Sequence, residues 1–141
     1  MPGQPTRSPL PKRLSLYIGG YPGPYYTVRL SRRTLWYEAQ TVNAEPPTKE
    51  KVPVTPEGWQ TFREALDAIG VWRWQEDYPN PGVCDGTSWA ATLEYADRSV
   101  ASGGSNNYPR AKGAPSGGAS TRPFARFLEA VRALLGGREF R

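Results

Sequence analysis

Two segments of the chain carry a single apolar stripe at helical spacing, and each follows runs in which apolar and polar residues alternate. In the first, Trp59, Phe62, Leu66 and Ile69 stand 3, 4 and 3 residues apart, which places them on one face of a helix over 56–69. Thr55 is positioned to cap that helix, Pro56 to open it, Glu57 to complement its dipole and Gly70 to end it. In the second, Phe124, Phe127, Leu128, Val131 and Leu134/Leu135 form the stripe over 122–135, between Thr121 and Gly136-Gly137, with Pro123 in the first turn. A helix striped on one side needs an apolar surface to cover, and the alternating runs supply one.

Those runs read as strands. Leu14, Leu16 and Ile18 alternate with Ser15 and Tyr17 until Gly19-Gly20, and Tyr21-Pro22-Gly23-Pro24 has the composition of a turn. Tyr25 to Leu30 follows with Tyr26, Val28 and Leu30 inward; after Ser31–Thr34, the stretch Leu35 to Val42 runs back. Asn43 to Pro53 is polar and proline-containing and reads as a loop. Past the first helix, Val71 to Trp74 reads as a short extended piece and 75–86 as a loop. Trp89, Ala91, Leu93 and Tyr95 alternate with Ala90, Thr92 and Glu94; Asp97-Arg98 turns the chain, and Ser99 to Ser102 returns until Gly103-Gly104.

A hairpin leading through a loop to a helix therefore occurs twice, without sequence identity between the halves. The expected fold is α+β: a two-layer sandwich with about five mainly antiparallel strands, both helices on one face, in the order β-β-β-α-β-β-α. Residues 1–13 are expected to be a flexible lead-in, 14–137 a single domain containing a mobile loop at 110–120, and 138–141 a tail.

Composition excludes several chemistries. The 141 residues include no histidine, which removes Ser-His-Asp and Cys-His catalysis and zinc sites of the Cys/His type. Cys84 is the single cysteine, so an intrachain disulfide cannot form; with no basic neighbour in sequence it reads as an inert thiol, consistent with a reducing compartment. No run of apolar residues is long enough for a membrane helix, and Met1-Pro2-Gly3-Gln4-Pro5 lacks a signal-peptide core, so a cytoplasmic location is expected. No spacing of ligating residues singles out a metal or a cofactor, and none is expected. The net charge of +5 is unevenly spread: residues 1–33 carry six cations and no acid, 34–109 five cations and eleven acids, and 110–141 seven cations and two acids. Intramolecular complementarity accounts for such a pattern, and a nucleic-acid surface is the sharper alternative.

The stretch from Trp72 to Pro109 is the most distinctive. It contains Trp72-x-Trp74, Tyr78, Asp85-Gly86-Thr87-x-Trp89, Leu93-Glu94-Tyr95, Asp97 and Gly104-Ser105-Asn106-x-Tyr108-Pro109. This pattern resembles a widespread set of small bacterial proteins with no assigned activity, over roughly residues 59–109 and less distinctly in the last helix. It departs from them in the Gly/Ala/Ser-rich insertion after Pro109 and in Asp97-Arg98, where Asp-Gly is usual. The resemblance implies a fold and leaves function open.

Physically, Trp72, Trp74 and Trp89 could either seal the end of the core or form a stacking platform. Asp85 and Thr87 suit a turn with a side-chain cap, or else a hydrogen-bonding or metal-oxygen site; Asn106 and Tyr108 suit a structured turn. The Tyr17, Tyr21, Tyr25, Tyr26 group beside Arg29, Arg32 and Arg33 interleaves aromatics with cations, as single-strand binders do and as ordinary solvent-facing sheets also do. Three functions stay open. The leading expectation is a non-enzymatic module that binds a protein partner, or itself, through an exposed aromatic sheet face. The second is a nucleic-acid-binding accessory protein using its basic N- and C-terminal regions. The third is an enzyme built on carboxylates such as Asp85 or Glu94.

Overall fold

The structure, a computed structural model, describes residues 10–20, 23–40, 46–80, 86–109 and 121–141. Its elements are β1 (Arg13–Gly19), β2 (Tyr25–Ser31), β3 (Thr34–Gln40), β4 (Thr48–Val52), α1 (Pro56–Ile69), a 3-10 turn (Val71–Arg73), β5 (Asp77–Tyr78), β6 (Ser88–Glu94), β7 (Ser99–Ser105) and α2 (Arg122–Leu134). The strands form one sheet in the order β4-β3-β2-β1-β6-β7-β5. Every neighbouring pair is antiparallel except β5 with β7, which is parallel.

The α+β class, the mainly antiparallel sheet and the two helices agree with the expectation from sequence. The strand count does not. The sheet has seven strands rather than about five, because two were hidden in stretches expected to be loops. β4 lies within 43–53; as an edge strand with only Val52 buried, its Thr48-Lys49-Glu50-Lys51 run has no apolar alternation to betray it. β5 is two residues long and is fixed by its parallel register with Gly103 and Gly104. β7 accordingly runs through both glycines to Ser105 instead of stopping at Ser102. The Val71–Arg73 segment is a 3-10 turn rather than an extended piece, because Gly70 at φ 81° turns the chain as α1 ends.

Both helices have the predicted start signals. The Thr55 hydroxyl accepts the Gly58 N–H at 2.9 Å, and Thr121 accepts that of Phe124 at 3.4 Å. Gly136 and Gly137, at φ 68° and 93°, close α2, and the Gly137 N–H donates to Arg132 O at 2.8 Å.

Alternate residues of the strands share one hydrophobic core with the two helices. Leu14, Leu16, Ile18, Val28, Leu35, Trp89, Ala91 and Leu93 face Phe62, Leu66, Phe124, Phe127 and Val131, all buried. Residues 138–141, expected to be a tail, are docked against this layer. Phe140 is 1% exposed and lies against Tyr26; the Tyr37 hydroxyl donates to Glu139 O at 2.7 Å, that of Tyr26 to the Glu139 carboxylate at 3.0 Å, and Arg138 pairs with Glu50 at 2.7 Å. Burial of the Phe140 ring, together with the two tyrosine hydroxyl hydrogen bonds and the Arg138–Glu50 pair, turns residues 138–141 into a clasp over β2, β3 and β4. Among the described residues, neither helix nor clasp lies over the other side of the sheet.

Candidate functional site

The Trp72–Pro109 stretch does not assemble a platform. Trp89 is 3% exposed, and its ring centroid lies 4.8 Å from that of Phe124, which in turn lies 4.8 Å from Tyr108. Trp74 meets Trp89 and Phe127 edge-on at 5.8 and 5.3 Å, joining the same aromatic cluster. Trp72 stands apart because the 3-10 turn separates it from Trp74. Its indole N–H donates to Asp67 at 2.8 Å and its ring meets Tyr95 edge-on at 5.7 Å. The three indoles therefore seal the core.

The polar residues of the stretch serve the same end. Thr87 O accepts the Asn106 N–H at 2.6 Å, and Asn106 adopts φ 49°, a left-handed conformation that asparagine tolerates. The Asn80 and Asn107 amides donate to Asn106 O and Pro79 O at 3.1 and 3.0 Å, and the Trp89 indole donates to Asn107 O at 2.9 Å. Gly104 permits this last bond, since a Cβ there would lie 2.6 Å from the Trp89 indole nitrogen. Thr87 and Asn106 do line a polar cleft of about 310 Å³ with Gly19, Gly20 and Gly86. Asp85 and Cys84 lie outside the described residues. Glu94 is exposed, in cross-strand register with Arg13.

Arg63 ties this end of the molecule together. Its guanidinium reaches both Asp97 oxygens at 3.0 and 2.8 Å and Asp67 at 2.9 Å, and stands 4.7 Å over Tyr95 and 5.3 Å over Trp72. The Asp97 bonds raise the Arg63 pKa against the effect of burial. Burial pushes Asp67 upward, but the Arg63 and Trp72 hydrogen bonds outweigh it and leave the carboxyl below its usual range. Burial also raises the Tyr95 phenol, whose hydroxyl finds no hydrogen-bond partner among the described residues. Trp72, Tyr95 and Asp97, three residues of the distinctive pattern, thus act as structural pins.

The uncovered sheet face is different in kind. Cross-strand register places Tyr25, Tyr17 and Trp36 on it, with Arg13, Arg29, Lys49 and Lys51 and the acids Glu38 and Glu94. The three aromatics are half-buried, whereas Arg13, Arg29, Lys49 and Lys51 are exposed. Trp36 lies opposite Arg29 on one side and Lys51 on the other; the Lys49 and Lys51 ammonium groups stand 5.0 and 5.5 Å from its ring centroid. A shallow depression of about 360 Å³ opens here, lined by Thr27, Arg29, Ser31, Trp36, Glu38 and Lys49. Tyr17 and Tyr25 close over Gly19, where an added Cβ would meet both rings, and burial beside Tyr25 raises the Tyr17 pKa. From the register, the Cα atoms of Tyr17 and Tyr25 lie about 8 Å apart and those of Trp36 and Tyr25 about 14 Å apart.

Of the aromatic-cationic residues expected from sequence, Tyr25 and Arg29 lie on this face. Arg32 and Arg33 form the exposed two-residue turn at the end of β2 and β3, at φ 51° and 67°. Tyr26 points to the core, and Tyr21 lies outside the described residues. Sequence reading missed Trp36, Lys49 and Lys51. Leu35-Trp36-Tyr37 is apolar throughout, so only the pairing of Tyr37 with Val28 reveals which side Trp36 takes. Among the described residues no helix is long and apolar enough to cross a membrane, and no group of three metal-ligating side chains gathers. No protein-family model matches the chain, and a search of the curated proteins finds no match.

Proposed function

We propose that the chain is a non-enzymatic binding module that takes a single-stranded nucleic acid on its uncovered sheet face. The observation that carries this reading is the grouping of Tyr17, Tyr25 and Trp36 with four exposed cations on a face that no other element covers among the described residues. Bases stack on aromatic rings of open sheets, and phosphates follow the neighbouring cations. A base on Trp36 displaces the Lys49 and Lys51 ammonium groups from the ring, which costs about 0.5–1 kcal/mol for each. Stacking returns about 1–3 kcal/mol per base, which offsets that cost, and contacts of the cations with phosphate add to it. The displaced ammonium groups are then free for phosphate.

The β2–β3 turn adds support. Both of its central residues have positive φ, a geometry that favours Asn-Gly, yet arginines occupy it. Strained residues are retained where they are used, and two guanidinium groups at the end of the face extend its cationic track. The cations used are those of the strands and of this turn. Two of the C-terminal arginines are engaged elsewhere: Arg138 pairs with Glu50, and Arg132 donates to Phe140 O at 2.9 Å.

A polypeptide is the competing occupant. Addition as a further strand is disfavoured at both edges, since β4 carries Lys49 and Lys51 and is followed by Pro53, and β5 has two residues followed by Pro79. Titration of single- and double-stranded DNA and RNA at two salt concentrations tests the proposal. It expects binding that weakens with salt and favours single strands. No salt-sensitive binding at low ionic strength removes it, as does a protein partner that depends on Trp36 and is not displaced by oligonucleotide.

A further inference from the structure

The opposite side of the molecule carries a second open surface among the described residues. α1 and α2 pack side by side, and between them on the outside lies an apolar groove of about 570 Å³. Ala65, Ala68, Ala130 and Ala133 form its walls, over Phe62 and Leu134. Four alanines keep the groove wide and allow another helix to come close. Their small size alone says nothing about the occupant; the charges on the rim do.

Helical spacing sets Glu57 and Glu64 on the outer rim of α1, and Arg122 and Arg126 with Glu129 on that of α2. One wall is thus acidic and the other mainly basic. A two-fold axis running along the groove lays α1 of one copy over α2 of the next, acidic wall against basic wall, twice. A two-fold across the groove would set Glu57 and Glu64 against their own copies. We infer that this groove is a self-association surface, and that the protein forms an isologous dimer with α1 over the partner's α2.

The dimer is a weak one. Helices of 14 and 13 residues present about 400 Å² per copy, about 800 Å² in all, at the small end of transient interfaces. In this arrangement the two open sheet faces point outward in opposite directions. The inference does not depend on what those faces bind.

Sedimentation equilibrium of the full chain from about 5 µM to about 1 mM decides the matter. The expected result is a mass that rises with concentration from one chain toward two. Ala68→Glu and Ala133→Glu, at exposed positions, weaken association at least about tenfold with an unchanged circular dichroism spectrum and unfolding midpoint. Glu64→Arg and Arg126→Glu each weaken it, and the two together restore it. A single-chain mass at every concentration overturns the inference, and so does a dimer indifferent to both alanine replacements. Failure of the double exchange to restore association contradicts the α1-over-α2 arrangement. A monomer that holds a different protein through the same alanines hands the groove to that partner and equally overturns it.

Discussion

The two faces of the sheet are made from the same strands, yet they spend their aromatic residues differently. On the covered face, Trp89, Tyr26, Tyr37 and, from the helices, Phe124 and Phe127 are buried and interlocked, with their polar atoms tied to backbone or to Glu139. On the open face, Tyr17, Tyr25 and Trp36 stand half-exposed among cations. The covered aromatics contribute to stability through area and packing, and the open ones contribute little. An aromatic that does not hold the fold together is available for a ligand.

This contrast can be broken most severely on the covered side. Phe124→Ala removes a 1%-exposed ring that touches Trp74, Trp89, Tyr108 and Phe127, and is expected to cost about 3–5 kcal/mol in chemical denaturation. The equivalent change on the open side, Trp36→Ala, is expected to cost less than about 1 kcal/mol while weakening single-strand binding about 5- to 150-fold. Equal stability costs for the two would erase the distinction between faces. Gly104→Ala forces a Cβ against the Trp89 indole nitrogen, and a loss of about 1–3 kcal/mol is expected in the same assay.

The C-terminal clasp gives the contrast a pH dependence. Burial pushes the Tyr37 phenol up to about 12, with the Tyr26 and Glu139 charges adding to it. A folded pKa above the unfolded value near 10 stabilises the fold fully below that pH; this contribution is lost as pH rises from about 10 through about 12. The unfolding midpoint is therefore expected to fall over that alkaline window, and to fall less in Tyr37→Phe. The smallest effect has the opposite sign. Arg32→Asn with Arg33→Gly relieves two positive-φ residues and is expected to stabilise the fold by about 1 kcal/mol while weakening nucleic-acid binding and flattening its salt dependence. A destabilised turn variant would contradict the strain argument.

Which parts of this were legible in the sequence follows from where each residue's information lies. The helices were legible because Thr55, Pro56 and Gly70 mark their ends locally and the stripes mark their buried sides. β1 and β6 were legible because Leu14-Leu16-Ile18 and Trp89-Ala91-Leu93 alternate against polar or small partners. β4 and β5 were not, since an exposed edge strand and a two-residue strand are defined by their partners rather than by their own composition. The site was legible only in part. Trp72, Trp74, Trp89 and Tyr108 draw attention as rare residues in a regular pattern, but tertiary packing puts Trp89 and Tyr108 in the core, sets the half-buried Trp74 against Trp89 and Phe127, and holds Trp72 against Asp67 and Tyr95. Trp36 draws none, and its place on the open face depends on a register that no local motif encodes.

The sharpest test of the contrast uses the five tryptophans as reporters. A ¹H–¹⁵N spectrum of the labelled protein resolves the indole N–H groups, and a short single-stranded oligonucleotide is added at low salt. The result predicted is displacement or broadening of the Trp36 signal, with Trp59, Trp74 and Trp89 unmoved. Five unmoved signals, or movement at Trp74 and Trp89 with Trp36 still, would contradict it.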